Sequence, residues 1–365
     1  MSEQAKTQCP ECDVPQGVGR RDFLMTVGGT AVTLASLQAV GKISAQQAAP
    51  AAQSERAVRP AEAMIRELFS GLTAAQRAQV VLPWNHGGEN SATPTRKRMY
   101  NAPIFSDRNI GTVYTRAQQD LNQRIIRSIC SDEEGYRRIS RNGTWDASNS
   151  FENCGAYIFG DPSGDQPYAW VFTGHHLTVR CDGNSERNAA FGGPMYYGHS
   201  PDGFSQRNLF NYQTRSVLSV WNALSEAQRR QATMATYVTP RELEGSIRFR
   251  QLVAAPPRGE MAAYQIHPGI AARDLTADQR GLINQVMRDL LSPYRREDAD
   301  KVMDLVRQNG GMDRIHLGFF RDPQTAADKW DFWRLEGPGF VWNFRILPHV
   351  HCYVNIGLQT APPRA

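Results

Sequence analysis

Helical periodicity begins just after Pro60, where Met64, Ile65, Leu68 and Phe69 fall on one stripe at the spacing of a buried helix face. A second helix start follows at Leu72-Thr73-Ala74-Ala75-Gln76-Arg77. The same form recurs at Leu224-Ser225-Glu226-Ala227-Gln228-Arg229 and at Leu275-Thr276-Ala277-Asp278-Gln279-Arg280. Each places Ser or Thr three residues before Gln. This is the capping box, in which hydroxyl and amide satisfy two otherwise bare backbone N–H groups, here behind a leucine suited to a hydrophobic staple. The unequal intervals predict a recurring helix start and not a solenoid repeat. Further helices are expected over about 115–139, 214–234, 276–291 and 298–309, the last stopped by Gly310-Gly311. Runs rich in aromatic and β-branched residues predict strands at about 168–180, 314–320, 329–335, 339–346 and 349–356. Strands cluster late and helices lie between the outer strand stretches. That order predicts an α+β fold, a largely antiparallel sheet with helices packed on one side.

The first 45 residues do not fit this pattern. Gly19-Arg20-Arg21-Asp22-Phe23-Leu24-Met25 reads as a twin-arginine export motif, followed by a moderately apolar run from Val27 to Val40 and small residues at Ser44-Ala45 and Ala48-Ala49. Gly28, Gly29, Thr30, Thr33, Ser36 and Gln38 make that run too polar for a good spanning helix. The expectation is a cleaved twin-arginine signal peptide over 1–45, no stable membrane anchor afterwards, and a periplasmic or extracellular protein. Residues 46–58, rich in Ala and Gln, read as a flexible linker, leaving 59–365 as a single α+β domain.

Composition adds little to this picture. With 41% hydrophobic and 21% charged residues, the chain has material for an ordinary core. The formal net charge of +5 is spread out, with no basic block of the kind that marks a nucleic-acid partner. Cys9 and Cys12 fall in the leader; Cys130, Cys154, Cys181 and Cys352 remain, and an oxidising compartment would allow them disulfides.

The candidate chemistry lies in two histidine stretches. In Pro348-His349-Val350-His351-Cys352-Tyr353, strand alternation turns His349 and His351 to one face and Cys352 to the other. In Phe172-Thr173-Gly174-His175-His176-Leu177, a continuous strand would send His175 and His176 to opposite faces, so that one of them joins the pair. Four of the eight histidines sit in these two stretches. Two imidazoles from one strand and one from another can grip an ion at about 2.0–2.1 Å each and leave a coordination position open. Ordinary hydrogen-bonded histidines would give the same sequence. The expected cofactor is a divalent transition metal, with zinc, copper and iron all compatible with neutral nitrogen ligands. Glu336, leading the turn before the last strands, and His199, on an expected loop, are the candidate proton-moving catalytic residues. Asp182 and His86 rank below them, and His267 and His316 read as structural. Tyr196, Tyr197 and Tyr353 suit a pocket lining or plain aromatic packing. There is no glycine-rich phosphate loop and no serine nucleophile elbow.

Three readings follow: an exported metal-dependent enzyme that activates water or polarises the oxygen of a small-molecule substrate, a copper or iron oxidoreductase at the same histidines, and a non-catalytic metal- or ligand-binding protein. Trp170-Val171-Phe172-Thr173-Gly174-His175-His176-Leu177, Gly193-Pro194-Met195-Tyr196-Tyr197-Gly198, Glu336-Gly337-Pro338 and His349-Val350-His351 together resemble the exported bacterial family catalogued as domain of unknown function 3500. The resemblance spans roughly residues 60–355 and implies where a site lies, not what it does. This chain departs from the family pattern in Thr178-Val179-Arg180 and in Cys352-Tyr353-Val354-Asn355, but all four histidines match.

Overall fold

The computed structural model describes residues 60–88, 94–234, 269–321 and 329–358. All of them belong to one compact unit running from Arg59 to Ala365. The leader, the linker and His267 lie outside the described residues.

Helix α1 (Ala61–Ser70) buries Ala61, Met64, Ile65, Leu68 and Phe69, the stripe its periodicity predicts. Three helices begin in the expected capping boxes: α2 (Ala74–Val80) at Thr73, α7 (Glu226–Ala232) at Ser225 and α8 (Ala277–Leu291) at Thr276. Between them come α3 (Ile110–Val113), α4 (Arg116–Ile129), α5 (Glu133–Ile139) and α6 (Asn211–Ala223), with α9 (Arg296–Gln308) last. A further capping box, Thr115 with Gln118, opens α4. The helix expected over 115–139 is two helices, because Asp132 accepts from Gly135 N at 2.8 Å and starts a new one. The stretch expected over 214–234 likewise divides at Leu224, where the Ser225 box begins α7.

Among the described residues ten strands form one open sheet. They are β1 (Val81–Leu82), β2 (Gly155–Gly160), β3 (Tyr168–Gly174), β4 (Leu177–Cys181), β5 (Met195–His199), β6 (Ile270–Ala271), β7 (His316–Phe320), β8 (Phe332–Gly337), β9 (Phe340–Arg345) and β10 (Val350–Ile356). Their spatial order is β1-β2-β3-β4-β5-β10-β9-β8-β7-β6, antiparallel throughout except for β1 with β2. The α+β expectation holds. The run expected as one strand over 168–180 is instead a hairpin, β3–β4, turning through His175 and His176.

That strand order is symmetric about the β5–β10 pair, and the two halves repeat one plan. Each half runs through capped helices into four antiparallel strands. The capping glutamines interlock within each half: Gln76 Nε2 donates to Gln118 Oε1 at 2.7 Å, and Gln279 Nε2 to Gln228 Oε1 at 2.9 Å. The central hairpins also match. Gly198 N donates to His176 O at 2.9 Å, and Gly357 N donates to Gly339 O at 2.8 Å. The recurring helix start therefore opens helices at similar places in two similarly ordered halves and does not build a solenoid.

Strand alternation gives the sheet two unlike faces. One carries Trp170, Phe172, Tyr197, Cys352, Trp342, Phe344 and Trp333, all fully buried. The helices pack on this side: Trp170 Nε1 donates to Asn122 Oδ1 of α4 at 3.0 Å, and Tyr197 OH to Leu290 O of α8 at 2.7 Å. Burying each large side chain contributes about 1.5–3 kcal/mol. The other face is polar. A cross-sheet row runs in register through Thr173, Thr178, Tyr196, Tyr353, Asn343 and Arg334. The segment before α3 covers part of this row, with Tyr100 N donating to Thr178 Oγ1 at 2.8 Å and Tyr196 OH to Asn101 Oδ1 at 3.1 Å.

Cys130, Cys154, Cys181 and Cys352 are buried free thiols, so the disulfides an oxidising compartment would allow are absent among the described residues. Each lies in the packed interior, and Cys352 points away from the histidines, as alternation predicts.

Candidate metal centre

His351 lies on β10 and His349 one residue before that strand, two positions apart and on one face. His176 reaches them from the tip of the β3–β4 hairpin, since β4 pairs with β5 and β5 with β10. The three Nε2 atoms converge, with His349 3.1 Å from His176 and 2.9 Å from His351. The rings are buried, with exposures of 0% for His176 and 3% for His349 and His351.

The turn that presents His176 is unusual. His176 has φ of 52° without being glycine, a region where histidine is enriched over most residues but which still costs energy. Surrounding hydrogen bonds hold it there: His176 N donates to Asn101 Oδ1 at 2.7 Å, His175 N to Ser148 Oγ at 2.8 Å, and Arg141 to the His175 carbonyl. The matching turn of the second half has Gly339 at φ 78°, so it carries the conformation and lacks the ring.

Behind the triad sits Asp146. Its Oδ2 accepts from His176 Nδ1 at 2.9 Å and lies 3.7 Å from His199 Nδ1, while Oδ1 is 3.4 Å from His175 Nδ1. Burial alone would raise this carboxyl, but the hydrogen bond from His176, with the rings of His175 and His199 close by, holds it far below the usual carboxylate range. The loop that carries it is strained, with Arg141, Asn142, Trp145, Asp146 and Asn149 all at positive φ. Trp145 anchors the loop, its ring packed against Phe151 and Phe172.

On the far side Arg345 Nη2 donates to His349 Nε2 at 3.0 Å and Arg345 Nε to His349 O at 3.1 Å. The Tyr353 hydroxyl lies 3.0 Å from His351 Nδ1. Burial pushes His176 down to about 3 despite the Asp146 hydrogen bond, and His349 to about 2, with the Arg345 charge acting in the same direction. His351 is held well below the ordinary imidazole value by the same two causes. All three imidazoles are therefore neutral, as metal ligands must be.

These three donors could hold a metal ion. Neutral nitrogens separated by 2.9 and 3.1 Å can share one ion at about 2.1 Å each. A carboxylate behind one of the rings is the usual second partner of a metal-binding histidine.

The expected residues divide accordingly. His176, His349 and His351 come together, and His175 stands beside His176 with ring centroids 3.8 Å apart, directed at Asp146. Both rings reach one carboxylate because they occupy a turn and not a strand. His199 ends β5 at the rim of the site and is part-exposed. Glu336 is not at the centre. It pairs in register with Val341, and Val341 with Asn355, four residues along β10 from His351. That places it about 14 Å along the sheet and two strands away, buried and ion-paired with Arg334. Asp182 accepts from Asn184 N and Glu186 N, a turn-capping acid. His86 bonds to Thr95 Oγ1 at 3.0 Å, and His316 pairs opposite Glu336 on β7.

Asp146, Arg141 and Arg345 escape the sequence reading. Arg345 had a signal, since period-two alternation back from His351 and across to Asn343 marks a polar face. Asp146 had none beyond turn chemistry in Asn142-Gly143-Thr144-Trp145-Asp146.

The family model described as "Protein of unknown function (DUF3500)" matches residues 54–355. No curated protein and no solved structure matches the chain.

Proposed function

Because the chain belongs to that family of unknown function, we propose from the site alone that His176, His349 and His351 hold one divalent transition-metal ion and that the protein is a metal-dependent enzyme. One observation carries the reading. A carboxylate only accepts, so the Nδ1 of neutral His176 bears the proton shared with Asp146 and its Nε2 is bare. A guanidinium only donates, so the His349 Nε2 that faces Arg345 is bare as well. The Nε2 atoms of His176 and His349, neither carrying a proton of its own, thus lie 3.1 Å apart inside the protein. A shared cation accepts both lone pairs.

An ion there would supply Lewis acidity, polarising a substrate oxygen or bringing a bound water towards a pKa of about 7. The chain's own residues do the rest. Asp146 fixes the tautomer and direction of His176, and Tyr353 orients His351. His199, near Asp146 and part-exposed, moves a proton between site and solvent. The export reading joins this proposal: a twin-arginine leader delivers an already folded protein to the periplasm or beyond, where a small-molecule substrate meets it.

A second reading, oxygen activation at iron or copper, has its own support. Nitrogens 2.9 and 3.1 Å apart subtend roughly 90° at an ion 2.1 Å away, nearer one face of an octahedron than a tetrahedron. The test is metal analysis of protein matured in its native host, with hydrolytic and oxygen-consuming screens run in parallel. His351→Ala should lose metal and turnover together. His199→Gln should keep the metal and lose about 10²–10⁴-fold in turnover. Native protein without metal, or a His351→Ala variant with full metal content, would refute the assignment.

A further inference from the structure

The triad is enclosed, so an ion must pass other protein groups to reach it, and a metal site needs an entry path. The residues His176, His349 and His351 are 0%, 3% and 3% exposed. Beside His176 stand three side chains that are more open to solvent, Asp146 at 10%, His175 at 11% and His199 at 19%. His176 belongs to both groups. Its Nε2 faces the triad and its Nδ1 faces Asp146, so one imidazole separates the outer cluster from the inner one.

The outer cluster has the geometry of a cation site. Asp146 Oδ1 and His175 Nδ1 lie 3.4 Å apart, the separation of two ligands that meet at an ion about 2.1 Å from each. Ala147 N donates to Asp146 Oδ1 at 3.0 Å and to His175 Nδ1 at 3.3 Å, so both atoms present lone pairs on that side. His199 Nδ1 is buried, has no hydrogen-bond partner among the described residues, and lies 3.7 Å from Asp146 Oδ2. A buried polar atom left unpaired is uncommon and calls for a reason. Asp146, His175 and His176 offer ligand atoms that all lie within 4.8 Å of one another. Such a site holds an ion loosely, because the Ala147 amide and Arg141 Nε, 3.9 Å from Asp146 Oδ2, compete for the same atoms. The His175 and His176 rings have centroids 3.8 Å apart, so an ion at His175 is one ring away from the triad.

We propose, on the basis of the metal assignment above, that Asp146 and His175, with His199 beside them, form a second and weaker divalent-cation site through which the ion reaches the triad. The outer site takes the ion from solvent, and the three imidazoles then take it over. Asp146 serves both stages, because Oδ1 faces His175 while Oδ2 keeps His176 in its tautomer.

The full chain, freed of metal with a chelator, is mixed with Co(II) in a stopped-flow spectrometer, and visible absorption follows uptake. The observed rate should rise with Co(II) and then saturate, because a weak outer complex forms before the transfer. His175→Gln should lose the saturation and slow uptake about 10- to 100-fold, the range over which metal sites weaken when a supporting group is removed. Its equilibrium Co(II) affinity, read by competition with a chelator, should match wild type. A merely structural histidine would instead lower that affinity and leave the saturation in place, which would overturn the proposal. His199→Gln tests the same step and carries the comparison if His175→Gln does not fold. A rate that stays linear in Co(II), or wild-type uptake in both variants, would also overturn the proposal and leave the triad assignment standing. Failure to take up Co(II) at all would overturn both.

Discussion

Asp146 is the residue on which the centre turns. It orients His176 through a 2.9 Å hydrogen bond and is itself held ionised by three histidines. Asp146→Asn should keep the fold but allow the His176 ring to flip or change tautomer. Metal affinity should then drop about 10- to 100-fold, the usual consequence of losing such an outer partner, read by competition with a chromophoric chelator. The same residues set an acid limit on metal-free protein. His176 and His349 sit at about 3 and about 2 when folded, against about 6.5 in an unfolded chain. As pH falls below about 6.5 the unfolded state binds protons that the folded state refuses, so stability declines. Asp146, depressed by its hydrogen bonds, adds a loss of the same sign as pH descends through the carboxylate range. Denaturant melts of chelator-treated protein at pH 7.5 and 5 should show a lower midpoint at pH 5. Metal-loaded protein should show the larger drop, because its ligands must also release the ion.

At the scale of elements, the site depends on the β5–β10 pair and on one hairpin tip. Gly198 lies opposite His351 in that pair, and a Cβ there would come within 2.4 Å of Val350 O, 3.0 Å of His351 Cδ2 and 3.3 Å of the His176 Cβ. Nothing larger fits without moving backbone. Gly198→Ala should therefore cost roughly 1–3 kcal/mol by overpacking and also spread His176 from His351. Thermal melts and a metal titration on one preparation would show the two losses together; full metal affinity with a lowered melting point would mean that the strand pair does not set ligand spacing. Element starts were well marked in the sequence, because a capping box is a local bargain between residues three apart. The turn at His175 and His176 was not marked. Gly174 ends β3 just before it, but the strained residue is His176, held at φ 52° by Asn101, Ser148 and Arg141, residues about 30 to 75 positions away along the chain.

At the scale of the molecule, two similar halves meet at their central strands, and only one of the two matching hairpins bears imidazoles. The second has Gly339 where the first has His176, so the centre is built once, from the hairpin of one half and the last strand of the other. The leader is a separate matter. Replacing Arg20 and Arg21 by Lys should hold the precursor in the cytoplasm, as fractionation and immunoblotting would show, and normal export of that variant would mean the motif has another role. Sequence alone determined what local physics controls: the helix starts, the α+β class, and the shared face of His349 and His351, which follows from strand alternation. It also singled out His176 as a candidate, without saying which of two neighbours would serve. Tertiary structure decided the rest. It moved Glu336 from the site, because register along β8 and β9 and not closeness in sequence sets position on a sheet. It brought in Asp146, because a carboxylate that meets its histidine across some 30 residues leaves no periodic trace in the chain that joins them; Arg345, four residues from His349, shares the alternating polar face, and the structure showed what it faces.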